Sequence, residues 1–224
     1  MTHSGSALAH ALDRPDAEPW AGLVILHGAG SRKENHADMA RAAAAAGMVA
    51  VRFDMRGHGE TGGLLDGRAI EDVAAVAALL PQGLPVALRG SSMGGYLALV
   101  AAGRVGAAAV VAICPAPAPL LARGLRRGEL EVAADVATLE ALLAAHPLDD
   151  AVAALEVPVL IQHAEGDERV PVAGSRALGP LLRHPASRVD VTPGGDHRSV
   201  QHDATAQAAA LAWLRDVMPA DGGH

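Results

Sequence analysis

The sequence predicts an α/β fold: a three-layer α/β/α sandwich around a mainly parallel sheet, with a short helical cap insertion at about residues 115–156. Three observations predict it. Short apolar runs of strand length alternate with stretches of helical period from about residue 22 to residue 217. Such alternation demands crossover connections, and hence parallel pairing. Half of the 224 residues are hydrophobic but only 2% are aromatic, so Ala, Val and Leu must fill the core. Layers packed that closely favour helices lying on a sheet. Finally, the polar and glycine-rich segments fall just after the apolar runs, and parallel sheets gather their active groups beyond the carboxyl ends of the strands.

The elements follow in order. Residues 23–26 form the first clear strand, and a helix is expected over 34–46. Residues 49–53 are the next strand and 69–80 the next helix. Residues 85–88 lead through Gly90 into a helix at about 93–103, and 108–113 form another strand. After the insertion come a strand at 158–162, a helix near 172–182, a last strand at 188–191 and a last helix over 200–217. The alanine-rich runs at 41–47 and 207–213 are read as helices, because alanine is the strongest helix former. The insertion begins rich in proline and continues with helical spacing. Its apolar positions Leu139, Leu142 and Leu143 argue for a packed helix rather than a surface excursion.

Charge and composition exclude several partners. The net charge is −7 with histidine neutral, which disfavours nucleic acid and anionic membranes, since both attract clustered Lys and Arg. Arg123, Arg126 and Arg127 are the densest basic group and are read as a solvated helix face. The single cysteine, Cys114, allows no intrachain disulfide and is read as a small buried hydrophobe. Residues 1–20 lack the basic start and apolar run of a leader. The most apolar region, 96–122, is broken by Gly103, Arg104, Gly106 and three prolines, so it is not read as a membrane span. A cytoplasmic protein is the expectation.

Gly90-Ser91-Ser92-Met93-Gly94 matches G-x-S-x-G between an expected strand and an expected helix. About 0.1 such matches arise by chance at this composition, so the context carries more weight than the pattern. A serine on a sharp turn presents its hydroxyl clear of the backbone, glycines on either side let strand and helix pass closely, and the helix N-terminus aims N–H groups at negative charge. Asp167, in Gly166-Asp167 after the 158–162 strand, can accept from a histidine Nδ1 and fix its tautomer. Alone it reads more often as a turn or capping residue. His197, in Gly194-Gly195-Asp196-His197 after the last strand, is one of 11 histidines. It stands out because the order Ser…Asp…His suits this architecture. In His27-Gly28-Ala29-Gly30 the small residues admit a substrate, and the N–H of Ala29, paired with that of Met93, is the candidate oxyanion hole. Neither G-K-[ST] nor G-x-G-x-x-G occurs, which argues against a phosphate loop. No H-E-x-x-H or comparable spacing occurs, so no metal ligand is assigned and no cofactor is expected.

Together HGAG at 27–30, DMRGHGET at 54–61, GSSMGG at 90–95, EGDERVPV at 165–172 and GGDH at 194–197 resemble the α/β-hydrolase superfamily over about residues 20–217. The resemblance implies a serine hydrolase, transferring acyl groups from an ester or thioester through an acyl-serine on Ser92, with His197 as base and Asp167 orienting it. It implies a structural role for the loop holding Asp54, Arg56, Gly57, His58 and Gly59. It leaves room for only one or two antiparallel strands before residue 22. The short insertion and the 75 positions between Ser92 and Asp167 resemble the compact carboxylesterase and dienelactone-hydrolase branches, although the latter use a cysteine where this chain has Ser92. The expected partner is a small-molecule acyl substrate. A peptidase, an acyltransferase, a perhydrolase or a non-catalytic ligand-binding protein could be built on the same residues.

Overall fold

A computed structural model of the chain describes residues 8–219, so part of the stretch weighed as a leader lies outside it. Seven strands form one sheet: β1 (His10–Asp13), β2 (Ala21–Leu26), β3 (Met48–Phe53), β4 (Val86–Ser91), β5 (Ala109–Ile113), β6 (Val159–Ala164) and β7 (Arg188–Thr192). Their order across the sheet is β1-β3-β2-β4-β5-β6-β7. Only β1 runs antiparallel, pairing His10 with Phe53 and Asp13 with Ala50. It is the single strand that precedes residue 20 among the described residues. Every residue of β2, β5 and β6 is buried, as expected of strands covered on both faces.

Helices cover both faces. On one side lie α1 (Ala37–Ala45) and α9 (Ala204–Val217), packed on Leu23, Ile25, Val111 and Leu160. On the other lie α2 (Ala69–Ala77) and α3 (Met93–Val105), packed on Val24, Leu26, Leu88 and Val110. The helix expected at 34–46 opens as a 3-10 turn at Lys33–His36. The one expected at 172–182 is α7 (Val172–Leu178), ending in a 3-10 turn that contains Pro180. The last expected helix is two: α8 (Ser199–His202) and α9. Asp203 separates them because its side chain caps α9, accepting from the Ala206 N–H at 2.7 Å. No helix among the described residues is long and apolar enough to cross a membrane.

Residues between β5 and β6 form α4 (Ala118–Arg126), α5 (Val136–Ala145) and α6 (Leu148–Ala154). Leu139, Leu142 and Leu143 are buried against the core. That packing explains α3, whose residues 93–99 are buried all round: it lies between the sheet and this segment. Tyr96 joins the two, donating its hydroxyl to the carbonyl of His146 at 2.9 Å.

Candidate active site

Ser92 follows β4, a central strand, and starts α3. Its backbone has φ 55° and ψ −117°, a region that costs a non-glycine residue of order 1–3 kcal/mol and persists only where the surroundings enforce it. The enforcement is visible. The Ser92 N–H donates to the Ile113 carbonyl at 2.8 Å, and the Ser92 carbonyl accepts from Tyr96 at 3.0 Å and Ala116 at 3.2 Å. A Cβ on Gly90 would strike the Gly94 carbonyl, and one on Gly94 would strike the carbonyls of Leu26 and His27. The two glycines of the motif therefore let β4, α3 and the end of β2 converge. Gly28 brings the next loop against the serine, since a Cβ there would lie 3.3 Å from Ser92 Cβ.

Asp167 sits in the turn after β6, buried. Its Oδ1 accepts from the N–H groups of Arg169 and Val170, each at 2.9 Å, and its Oδ2 lies 2.7 Å from His197 Nδ1. Burial pushes its pKa up, but the Val170 N–H and His197 outweigh it and hold the carboxyl below the usual range. The residue is thus an ionised acceptor, the state needed to keep the His197 proton on Nδ1. The loop after β7 delivers His197, half-buried, to the cavity that Ser92 also lines. Among the hydrogen bonds of the described residues, none joins Ser92 Oγ to His197; catalytic contacts of this type often tighten only with substrate bound.

Ala29 lines the same cavity. Neither its N–H nor that of Met93 donates to another backbone group among the described residues; for Met93, the first residue of α3, this is the ordinary state of a helix N-terminus. His27 holds the loop in place. Its Nε2 accepts from the Met55 N–H at 3.0 Å and its Nδ1 lies 2.8 Å from the Gly28 carbonyl. Burial drives its pKa down to about 4, so the ring is neutral. The 54–61 loop is itself pinned: buried Asp54 accepts from the Lys33 N–H at 2.7 Å, from Lys33 Nζ at 2.9 Å and from the Glu60 N–H at 2.9 Å.

Two residues escaped the sequence argument. His163, read there as bland, is fully buried in β6. Its Nε2 donates to the Val170 carbonyl at 2.8 Å and lies 3.3 Å from Asp167 Oδ2, while its Nδ1 accepts from Ser175 Oγ at 2.7 Å. It backs the Asp167 turn from behind. Its position four residues before Asp167 was the one available signal. Cys114 is buried as expected, but it follows β5 with φ 44° and places Sγ near Asp167 and His197, the ligand atoms of all three lying within 4.8 Å of one another. Thiol, carboxylate and imidazole could suit a zinc-like ion. Here Asp167 and His197 are committed to each other, and burial pushes the thiol up to about 12, so it stays protonated. A hydrogen-bonded cluster is the better description.

The cavity encloses about 700 Å³. Beyond Ser92 and His197 its walls come from the loop after β2, including Gly28 and Ala29, and from the segment between β5 and β6, including Ala116, Leu121 and Leu130. The four groups singled out after β2, β4, β6 and β7 thus converge on one end of the sheet: Ala29, Ser92 and His197 line the cavity, and Asp167 stands behind His197.

Comparison with known proteins agrees with this architecture. Residues 17–138 match the family described as serine aminopeptidase, S33 (Hydrolase_4), a span that contains Ala29, Ser92 and Met93 and ends before Asp167 and His197. A monoacylglycerol lipase of Mycolicibacterium smegmatis is 27% identical over 82% of this chain and 83% of the relative. The esterase domain of a Rhodothermus marinus protein superposes with a TM-score of 0.77 at 24% identity, covering 99% of this chain and 96% of that one. A monoacylglycerol lipase from Paleococcus ferrophilus superposes with a TM-score of 0.74 at 19% identity, covering 94% and 99%. Sheet order, the Ser92 turn and family match lead to one conclusion: the chain is an α/β hydrolase and belongs to the serine aminopeptidase S33 family.

Proposed function

We propose that the chain hydrolyses carboxylic esters of small molecules through an acyl-serine intermediate on Ser92. One observation carries the reading: a serine forced onto a left-handed turn shares a cavity with a histidine whose Nδ1 is held by a buried, ionised aspartate. Ser92 Oγ attacks the ester carbonyl as its proton passes to His197 Nε2. Asp167 stabilises the imidazolium, and the N–H groups of Ala29 and Met93 receive the oxyanion. Removing one such donor typically costs about 3 kcal/mol of barrier. His197 protonates the departing alcohol, then draws a proton from the water that releases the acid.

The names of the relatives, monoacylglycerol lipase and esterase, favour an ester over the amide that the family description suggests. Thioesterase, acyltransferase and perhydrolase chemistry would use the same groups. The segment between β5 and β6 acts as a short cap that shapes the acyl site, and the protein works in the cytoplasm.

The test is intact mass after reaction with a fluorophosphonate, which needs an activated serine and no knowledge of the substrate. The expected result is one adduct on the wild type and none on Ser92→Ala or His197→Ala. A folded wild type that takes up no probe would overturn the proposal and favour a ligand-binding protein without catalysis.

A further inference from the structure

The cavity wall carries more arginines than carboxylates. Arg123 reaches it from α4, Arg169 from the turn two residues beyond Asp167, and Arg198 from the residue after His197. Elsewhere Arg52, Arg56, Arg126, Arg127, Arg176 and Arg188 each face a carboxylate, whereas Arg14, Arg41, Arg89, Arg104, Arg183 and Arg215 lie apart from the cavity and face none among the described residues. Among the described residues, none of the three cavity arginines faces one either. Glu129 and Glu131 also line the cavity, but Glu129 faces Arg127 at 3.6 Å. Glu131 packs on Gly30, where a Cβ would lie 2.8 Å from its Oε2. Three guanidinium groups therefore stand against one carboxylate without a cation, in a chain whose net charge is −7.

Arg123, Arg169 and Arg198 come from three separate segments and border one cavity. A cleft lined by one sign of charge concentrates ligands of the opposite sign, and guanidinium groups match carboxylates with paired hydrogen bonds. Leu120, Leu121, Leu130 and Val170 lie in the same wall, so an aliphatic stretch and an anionic end can be held together.

Building on the ester-hydrolase reading, we infer that the substrate is an ester bearing a carboxylate, which Arg123, Arg169 and Arg198 receive while Ser92 attacks the ester carbonyl. Water cleaves the acyl–oxygen bond and the carboxylate leaves unchanged.

Two matched ester pairs test this. The 4-nitrophenyl monoester of adipic acid against 4-nitrophenyl hexanoate places the charge on the acyl side. 4-Acetoxybenzoate against 4-methylphenyl acetate places it on the alcohol side. With rates normalised to each ester's alkaline hydrolysis, kcat/KM should favour the anionic member of at least one pair tenfold or more. That preference should shrink at least fivefold in Arg123→Gln/Arg169→Gln, and shrink again in 0.5 M NaCl, where exposed charges are screened. Equal or lower kcat/KM for both anionic esters, in an enzyme whose Ser92 takes the fluorophosphonate, overturns the inference and leaves the hydrolase reading standing. A preference that survives the double substitution also overturns it. No adduct and no turnover of any ester would overturn both.

Discussion

The backbone N–H of Gly166 donates to the carbonyl of Gly194 over 2.9 Å, so the turn that carries Asp167 is tied to the loop that carries His197. The two loops touch closely enough that a Cβ on Gly166 would strike the Gly195 carbonyl. Gly166→Ala must therefore push the histidine loop away from the aspartate while leaving the sheet intact. The expected result is a fall of at least tenfold in kcat on 4-nitrophenyl butyrate with Tm lowered by only a few degrees. Unchanged kcat would show that the loop contact does not position His197.

Asp167→Asn keeps the shape of the side chain but removes its charge and offers an amide where His197 needs an acceptor. In a serine-protease triad the equivalent change costs about 10⁴ in kcat by favouring the wrong tautomer. A loss of at least a thousandfold is expected here, with KM little changed. Steady-state kinetics on the same ester measure it, and a loss below tenfold would remove Asp167 from the proposed triad.

Arg56 and Asp72 form a paired contact, Nε to Oδ2 and Nη2 to Oδ1 both at 2.7 Å, that joins the 54–61 loop to α2. Both side chains are mostly buried, 14% and 9% exposed. Arg56→Ala strands the carboxylate, which typically costs about 3 kcal/mol for a buried pair. Urea unfolding should register that loss. Double substitution to Arg56→Met and Asp72→Leu should restore much of it, because no charge is then left buried.

Acid should weaken the fold before its carboxylates titrate. Burial drives His27 down to about 4, and burial together with the nearby Arg89 drives His36 down to about 3. Both rings are neutral in the fold and ionise near 6.5 once unfolded. The unfolded chain therefore binds more protons below that value. The stability is complete above about pH 6.5 and is lost progressively as pH falls, by about 2 kcal/mol per ring at pH 5. Urea titrations at pH 7 and pH 5 should differ accordingly, and His36→Phe should flatten the dependence. Equal stability at the two pH values would contradict the buried neutral state of these rings.

Much of this was legible in the sequence because the two periodicities are clean. All-apolar runs such as Leu-Val-Ile-Leu at 23–26, short and alternating with helical stretches, read as strands buried on both faces, and the groups at their carboxyl ends fall together once the sheet is parallel. Ser92, Asp167 and His197 were singled out at such strand ends by motif and chain order, and the structure places all three at one end of the sheet. What escaped depends on side chains meeting across the fold. His163 looks like one more residue of a strand until Ser175 and Val170 fold against it. Arg89, fully buried in β4, gives no warning that its Nη2 will reach the Gln201 carbonyl at 2.9 Å. The arginines at 123, 126 and 127 read as one solvated face, yet Arg126 and Arg127 find carboxylates while Arg123 turns to the cavity. Helix ends shifted where a cap or a proline intervened, as at Asp203 and Pro180.

His197 is carried by β7, which lies at the edge of the sheet, pairs only with β6 and has no fully buried residue. The proposed nucleophile, Ser92, by contrast, follows β4, deep in the core. Edge strands open locally at lower free energy than central ones. The proposed base and nucleophile thus belong to regions of unequal durability. On warming, or in mild denaturant, the enzyme should fall silent while its secondary structure is still whole, and recover on cooling. Its working temperature range is then fixed by the fraying of one strand and not by the melting of the sheet.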